Sequence, residues 1–149
     1  MVTFIKKSFI NCSIEQLFDF HLNTQNLTKI TPNDIKLNLL THNFTPKQSA
    51  TLEIISTKYF IPTYWKIEIE KLDRPNILVD KALKSPFKSW VHEHKFENVD
   101  GKTQLIDIIK FEMPFGIFGK LLAPLIKKDL EKMFTFRHTQ TKEILESKD

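Results

Sequence analysis

The constraint that most limits how this chain can fold lies near its C-terminal end. After Pro114, residues recur at helical spacing, and Phe118, Leu122, Leu125, Ile126, Leu130, Met133, Phe134, Arg137, Thr141 and Ile144 trace one mostly apolar face. Proline is tolerated best in a first helical turn, so the spacing predicts a main helix from Pro124 to Leu145. At 1.5 Å per residue that helix is about 33 Å long. A stripe of that length must be covered by another layer of the fold.

The rest of the sequence offers a sheet as that layer. Residues Thr3 to Ile10 read as a strand. Ser13 then opens a helix, with Gln16 three residues on completing a capping box. A second short helix is expected from Gln25 to Ile30, ended by the restriction that Pro32 places on Thr31. From Asn33 the period changes to alternation, with Ile35, Leu37 and Leu39 on one side. Strand-like runs follow at Ala50–Lys58, Thr63–Lys71, Asn76–Ala82, Phe87–Val99 and Thr103–Met113, separated by turn signals such as Ser85-Pro86 and Asp100-Gly101. The predicted order is strand, two helices, six strands, long helix. This is an α+β chain whose curved antiparallel sheet of about seven strands wraps the C-terminal helix. A sheet bent around a helix leaves a wedge lined by apolar side chains, the usual form of a small-molecule site.

Composition narrows the classes. The 149 residues fit one domain, residues 1–149. Thirteen Phe against two Trp and two Tyr suit a large apolar interior that asks for few hydrogen bonds. Cys12 is the only cysteine, which excludes an intramolecular disulfide and a cysteine-based metal site. No signal peptide and no membrane span are read, so the expected location is cytoplasmic and the three Asn-X-Ser/Thr matches are taken as chance. Net charge is +4, and the dense group at Lys127-Lys128 adjoins Asp129 and Glu131. That mixture reads as a solvated helix face, not a nucleic-acid footprint.

The most informative stretch runs from Trp90 to Phe111. Alternation places Trp90, His92, His94 and Phe96 on one face, and Leu105, Asp107, Ile109 and Phe111 on one face of the next strand. With Asp100-Gly101 as a two-residue turn, Val99 pairs with Lys102, Phe96 with Leu105, His94 with Asp107, His92 with Ile109 and Trp90 with Phe111. His92, His94 and Asp107 then share an otherwise apolar inward face. Four readings stand open. The three form a hydrogen-bonded network that fixes the sheet; they form a polar handle for a greasy ligand; His92 or His94 performs acid–base chemistry oriented by Asp107; or they hold a metal. No metal and no cofactor are expected, because no further His or Cys cluster accompanies them.

The run Val79-Asp80-Lys81, Ser85-Pro86-Phe87, Trp90, His92, His94, Phe96, Gly101, Thr103, Asp107, Phe111, Pro114-Phe115-Gly116 and Gly119 resembles an uncharacterised bacterial branch of the SRPBCC superfamily. These are START-like and polyketide-cyclase-like proteins with the helix-grip fold. Ser85 stands where glycine is usual, and Phe111 where tyrosine is common. The resemblance implies a deep cavity between sheet and last helix, but not one chemistry and no catalytic set.

The expected function is therefore binding of a hydrophobic or lipid-like small molecule. The lining expected is Trp65, Phe87, Trp90, His92, His94, Phe96, Asp107, Phe111, Phe118 and Phe134. The alternatives are a cyclase- or dehydratase-type enzyme using His92, His94 or Asp107, and an interaction module without a ligand. For the last, the apolar segment Met113–Ile126 is a candidate lid, membrane-touching loop or dimer contact. No nucleic-acid partner and no stable membrane insertion are expected, peripheral contact and a monomer or homodimer remaining open.

Overall fold

The computed structural model describes residues 1–147. Strand β1 (Val2–Ile10) leads into helices α1 (Ile14–Leu22) and α2 (Asn26–Lys29). Strands β2 (Ile35–Leu39), β3 (Thr51–Lys58), β4 (Ile61–Asp73), β5 (Ile77–Lys84), β6 (Ser89–Val99) and β7 (Lys102–Glu112) follow, and helix α3 (Gly116–Glu146) ends the fold. The sheet order is β1-β7-β6-β5-β4-β3-β2, with every neighbouring pair antiparallel. The expected order of elements and the sheet wrapped on a long C-terminal helix are both present.

Local chemistry explains the junctions. Ser13 Oγ accepts from the Gln16 backbone N–H, and the Gln16 side chain accepts from the Ser13 N–H, closing the capping box. Asp100 and Gly101 both have positive φ, 51° and 82°, the backbone a tight two-residue hairpin requires. That turn sets the register expected from sequence: Phe96 faces Leu105, His94 faces Asp107 and Trp90 faces Phe111.

The start of the long helix differs from expectation. It begins at Gly116, eight residues before Pro124, and carries Pro124 inside. An interior proline costs about 3 kcal/mol because it removes a hydrogen bond and crowds the preceding turn. Here Pro124 is exposed, so the Lys120 carbonyl that loses its partner can be hydrated. The reversal into the helix uses two left-handed residues, Phe115 at φ 66° and Gly116 at φ 57°. Gly119 makes the tight packing of the first turn feasible: a Cβ there would sit 1.8 Å from the Pro114 carbonyl oxygen.

Two apolar clusters hold the layers together. One joins Ile10, Leu17, Phe18, Phe96, Leu105 and Leu145. The other joins Phe4, Ile109, Phe111, Leu130 and Phe134. Each fully buried side chain of this size contributes roughly 1.5–3 kcal/mol. The space they leave, toward β3, β4 and β5, is a cavity.

Candidate functional site

The cavity measures about 340 Å³ and lies between the sheet and α3, its wall completed by α1 and α2. One end is aromatic. Trp65, Phe87 and Trp90 form a mutually touching group with ring centroids 4.8–5.8 Å apart, and Ile126 and Met133 of α3 close it from above. The middle is aliphatic, with Leu52, Ile54, Ile67 and Ile69 from β3 and β4. The other end is polar and holds His21, Asp80, His92, His94, Asp107, Arg137 and His138.

Asp107 is the hub of that polar end. A carboxylate only accepts, so each imidazole nitrogen aimed at it must carry its proton. His92 Nε2 donates to Asp107 Oδ1 at 2.7 Å, and His138 Nε2 donates to Oδ2 at 2.6 Å. His138 Nδ1 in turn meets Ser8 Oγ of β1 at 2.7 Å. His94 stacks on His92 with ring centroids 3.8 Å apart. Its Nε2 donates to Asp80 Oδ2 at 2.9 Å. Its Nδ1 lies 2.9 Å from Asp107 Oδ1 but without hydrogen-bond alignment, so this contact is an ion pair rather than a hydrogen bond. The network ties β5, β6 and β7 to α3 and, through Ser8, to β1.

The same geometry sets the charges. Burial works against the His94 imidazolium, but Asp107 and Asp80 on either side outweigh it and raise its pKa to about 9. Burial also opposes the Asp107 carboxylate, and the bonds from His138 and His92 with the ion pair to His94 hold it well below the usual range. His92 is pushed down, first by burial and then by the charge of His94. His21 is pushed down to about 4 by burial and by His94, so it is neutral near pH 7. Its Nδ1 donates to the Leu17 carbonyl at 2.9 Å, which leaves Nε2 as an acceptor on a residue of the cavity lining.

Arg137 also keeps an unpaired donor at this end. It is half-buried, with its guanidinium 5.1 Å from the Phe134 ring centroid. Its buried Nε has no hydrogen-bond partner among the described residues. Burial lowers its pKa from the ordinary value, and Asp107 and Asp80 offset that in part without forming an ion pair with it. A buried donor left unpaired is costly, and unlike His94 Nδ1, which has the Asp107 carboxylate 2.9 Å away, this Nε has no acceptor or counter-charge in ion-pair range among the described residues.

Of the residues singled out from sequence, Trp65, Phe87, Trp90, His92, His94, Asp107 and Phe134 line the cavity. Phe96 and Phe111 do not; both are fully buried in the apolar clusters. Phe118 is 79% exposed on the outside of α3. Sequence reasoning left out His21, Asp80, Arg137 and His138 as site residues. Arg137 and Thr141 interrupting an apolar helical stripe were the available signal for the α3 contribution. For a metal, ligand atoms of Asp80, His92 and His94 lie within 4.8 Å of one another. Both imidazole Nε2 atoms already bond carboxylates, so a metal there would have to displace those bonds.

Comparison with solved structures gives the fold a class. Protein TTHA0849 from Thermus thermophilus matches with a TM-score of 0.79 and 14% identity, over 99% of this chain and 100% of that one. The major latex-like protein 151 from Panax ginseng matches with a TM-score of 0.69 and 14% identity, over 97% of each chain. A nucleoside-diphosphate sugar epimerase from Corynebacterium glutamicum matches with a TM-score of 0.66 and 23% identity, over 98% of this chain and 29% of that one. The fold these matches share is the helix-grip fold, a curved antiparallel sheet wrapped on a long C-terminal helix. No protein-family model matches the sequence, and no curated protein matches it.

Proposed function

We propose that this protein binds a hydrophobic small molecule whose one polar end carries an oxygen acceptor. The observation that carries this reading is the pairing of an aromatic chamber at one end of the cavity with Arg137, whose buried Nε is unpaired, at the other. Apolar walls with few polar groups are the common form of ligand sites, and the polar groups fix orientation. Arg137 has only donors, so the group that completes it is a carbonyl, carboxylate or similar oxygen. The cavity size suits a compact ligand, at the lower end of the roughly 300–1,000 Å³ range of such sites.

Native mass spectrometry of the purified protein and displacement of an apolar fluorescent dye test the reading. Saturable dye uptake is expected, displaced more strongly by an acyl chain ending in a carboxylate or ketone than by the matching alkane. Arg137→Met is expected to remove that preference, roughly tenfold in affinity for a charge-assisted bond of about 1.4 kcal/mol, while the dye still binds. No uptake of any apolar probe would overturn it.

One observation favours a second reading, a cyclase- or dehydratase-type reaction. His21 lines the cavity and keeps Nε2 free as an acceptor, whereas His92 and His94 spend their Nε2 atoms on carboxylates. A proton transfer here would therefore use His21, and His21→Phe leaving turnover of an identified substrate intact would exclude it.

A further inference from the structure

We infer that the aromatic end of the cavity docks on an anionic lipid surface. Three stretches meet there: the β3–β4 hairpin (residues 58–66), the β5–β6 turn (84–88) and the start of α3 (115–128). Trp65 of the hairpin touches Phe87 of the turn at 5.8 Å between ring centroids. Ile126 of α3 packs in one cluster with Phe87 and Trp90. Lys58 at the hairpin tip lies 3.9 Å from Asp129 of α3.

These stretches carry ten of the fifteen large hydrophobic residues that are exposed in the described chain. Phe60 is 100% exposed and Phe115 83%. A scattered exposed apolar residue needs no explanation, but a contiguous group marks an interaction surface. Contiguity on α3 follows from spacing, since Ile117, Leu121 and Leu125 lie one turn apart and Phe118 and Leu122 form the adjoining row.

Backbone conformation points the same way. Tyr59, Phe60 and Phe115 all sit in the left-handed region, with φ of 53°, 62° and 66°. Bulky residues adopt that conformation only under strain, and Asn-Gly would make the hairpin turn with less. Aromatic rings standing in water give the fold no burial in return. Strain without folding benefit is a signature of function.

Charge selects the occupant. The three stretches contain seven Lys and no Asp or Glu, so the remainder of the chain is net acidic. Two of the seven meet acids from outside the stretches, Lys58 with Asp129 and Lys88 with Glu112. A two-fold dimer through this face would set lysines against lysines. A lipid surface bearing negative headgroups instead receives the apolar side chains into its acyl boundary and the ammonium groups at its headgroup level. Ile126 belongs both to this end of α3 and to the cavity wall, so docking brings the cavity to the lipid surface. The docking surface stands on exposure and charge, independent of whether the cavity is filled.

Co-sedimentation with phosphatidylcholine vesicles, with and without a phosphatidylglycerol fraction, tests the inference. Binding to the anionic vesicles is expected to be about tenfold or more stronger, and to fall as salt screens the lysines. Phe60→Ser with Phe118→Ser is expected to abolish most of it, and Lys127→Glu with Lys128→Glu to abolish the dependence on phosphatidylglycerol. All four side chains are exposed, so unchanged melting curves would confirm that the variants fold. Absence of binding to anionic vesicles would overturn the proposal. So would equal binding to both vesicle types, or a dimer in sedimentation velocity that Phe118→Ser dissociates.

Discussion

Helix α3 has two halves that treat the same sheet differently. From Leu130 onward, Leu130, Phe134, His138, Thr141 and Leu145 form an unbroken buried row, held by apolar packing and by the bond from His138 to Asp107. Before Ile126 only Gly119 and Ala123 are buried, and the large side chains point away. The difference teaches that an apolar stripe and a buried stripe need not coincide. Where a helix approaches backbone closely, only small residues fit beneath it, and its large apolar residues are left for something else.

The sharpest way to break this comparison is to remove the hub that anchors the second half. Asp107→Ala leaves His92 and His138 without their shared acceptor, and His94 without one of its two counter-charges, in a buried site. Taking one partner from a buried charged pair costs about 3–5 kcal/mol. Urea denaturation should show a loss of that order. A loss below about 1 kcal/mol would mean that apolar packing alone holds the C-terminal half.

Titration probes the same anchor without mutation. The folded pKa of His94 is raised to about 9 from an ordinary value of 6.5. Its stabilisation is therefore complete below about pH 6.5 and is lost as pH rises toward 9, on the order of 3 kcal/mol in all. His21 works in the opposite sense. Its folded pKa is lowered to about 4, so stability falls as pH drops from about 6.5 toward 4 and the unfolded chain gains a proton the fold refuses. Denaturation midpoints measured across this range should peak near pH 6.5. His94→Gln should flatten the alkaline limb and leave most of the acidic one, since burial is the larger cause of the His21 shift and the charge of His94 the smaller. An alkaline limb that survives the substitution would assign it elsewhere.

Much of this was legible in the sequence for definite physical reasons. Alternation and the Asp100-Gly101 turn fix the β6–β7 register, because a one-residue slip would turn every side chain to the other face. Capping at Ser13 and Gln16 likewise marks the α1 start. The cluster was half legible. His92, His94 and Asp107 share a face by local periodicity, but His138, Asp80 and His21 reach them only through tertiary packing, which spacing along the chain does not encode. The helix start was misread because a proline is disfavoured inside a helix, and an exposed position lowers that penalty where hydration replaces the lost bond.

Gly119 offers the finest test of the first half of α3. A Cβ at this position would meet the Pro114 carbonyl oxygen at 1.8 Å and Met113 Cβ at 2.9 Å. The first obstacle is backbone, so it cannot rotate aside. Alanine has the better helix propensity by nearly 1 kcal/mol, so an isolated helix would gain from the change. If close approach to Pro114 is what seats the first turns, Gly119→Ala should instead destabilise the protein by about 1–3 kcal/mol, as overpacking does. The loss should be smaller than for Asp107→Ala, because the anchored half remains in place. A stabilised variant would show that the first turn of α3 can shift away from Pro114 at little cost, and that this close approach does not seat it.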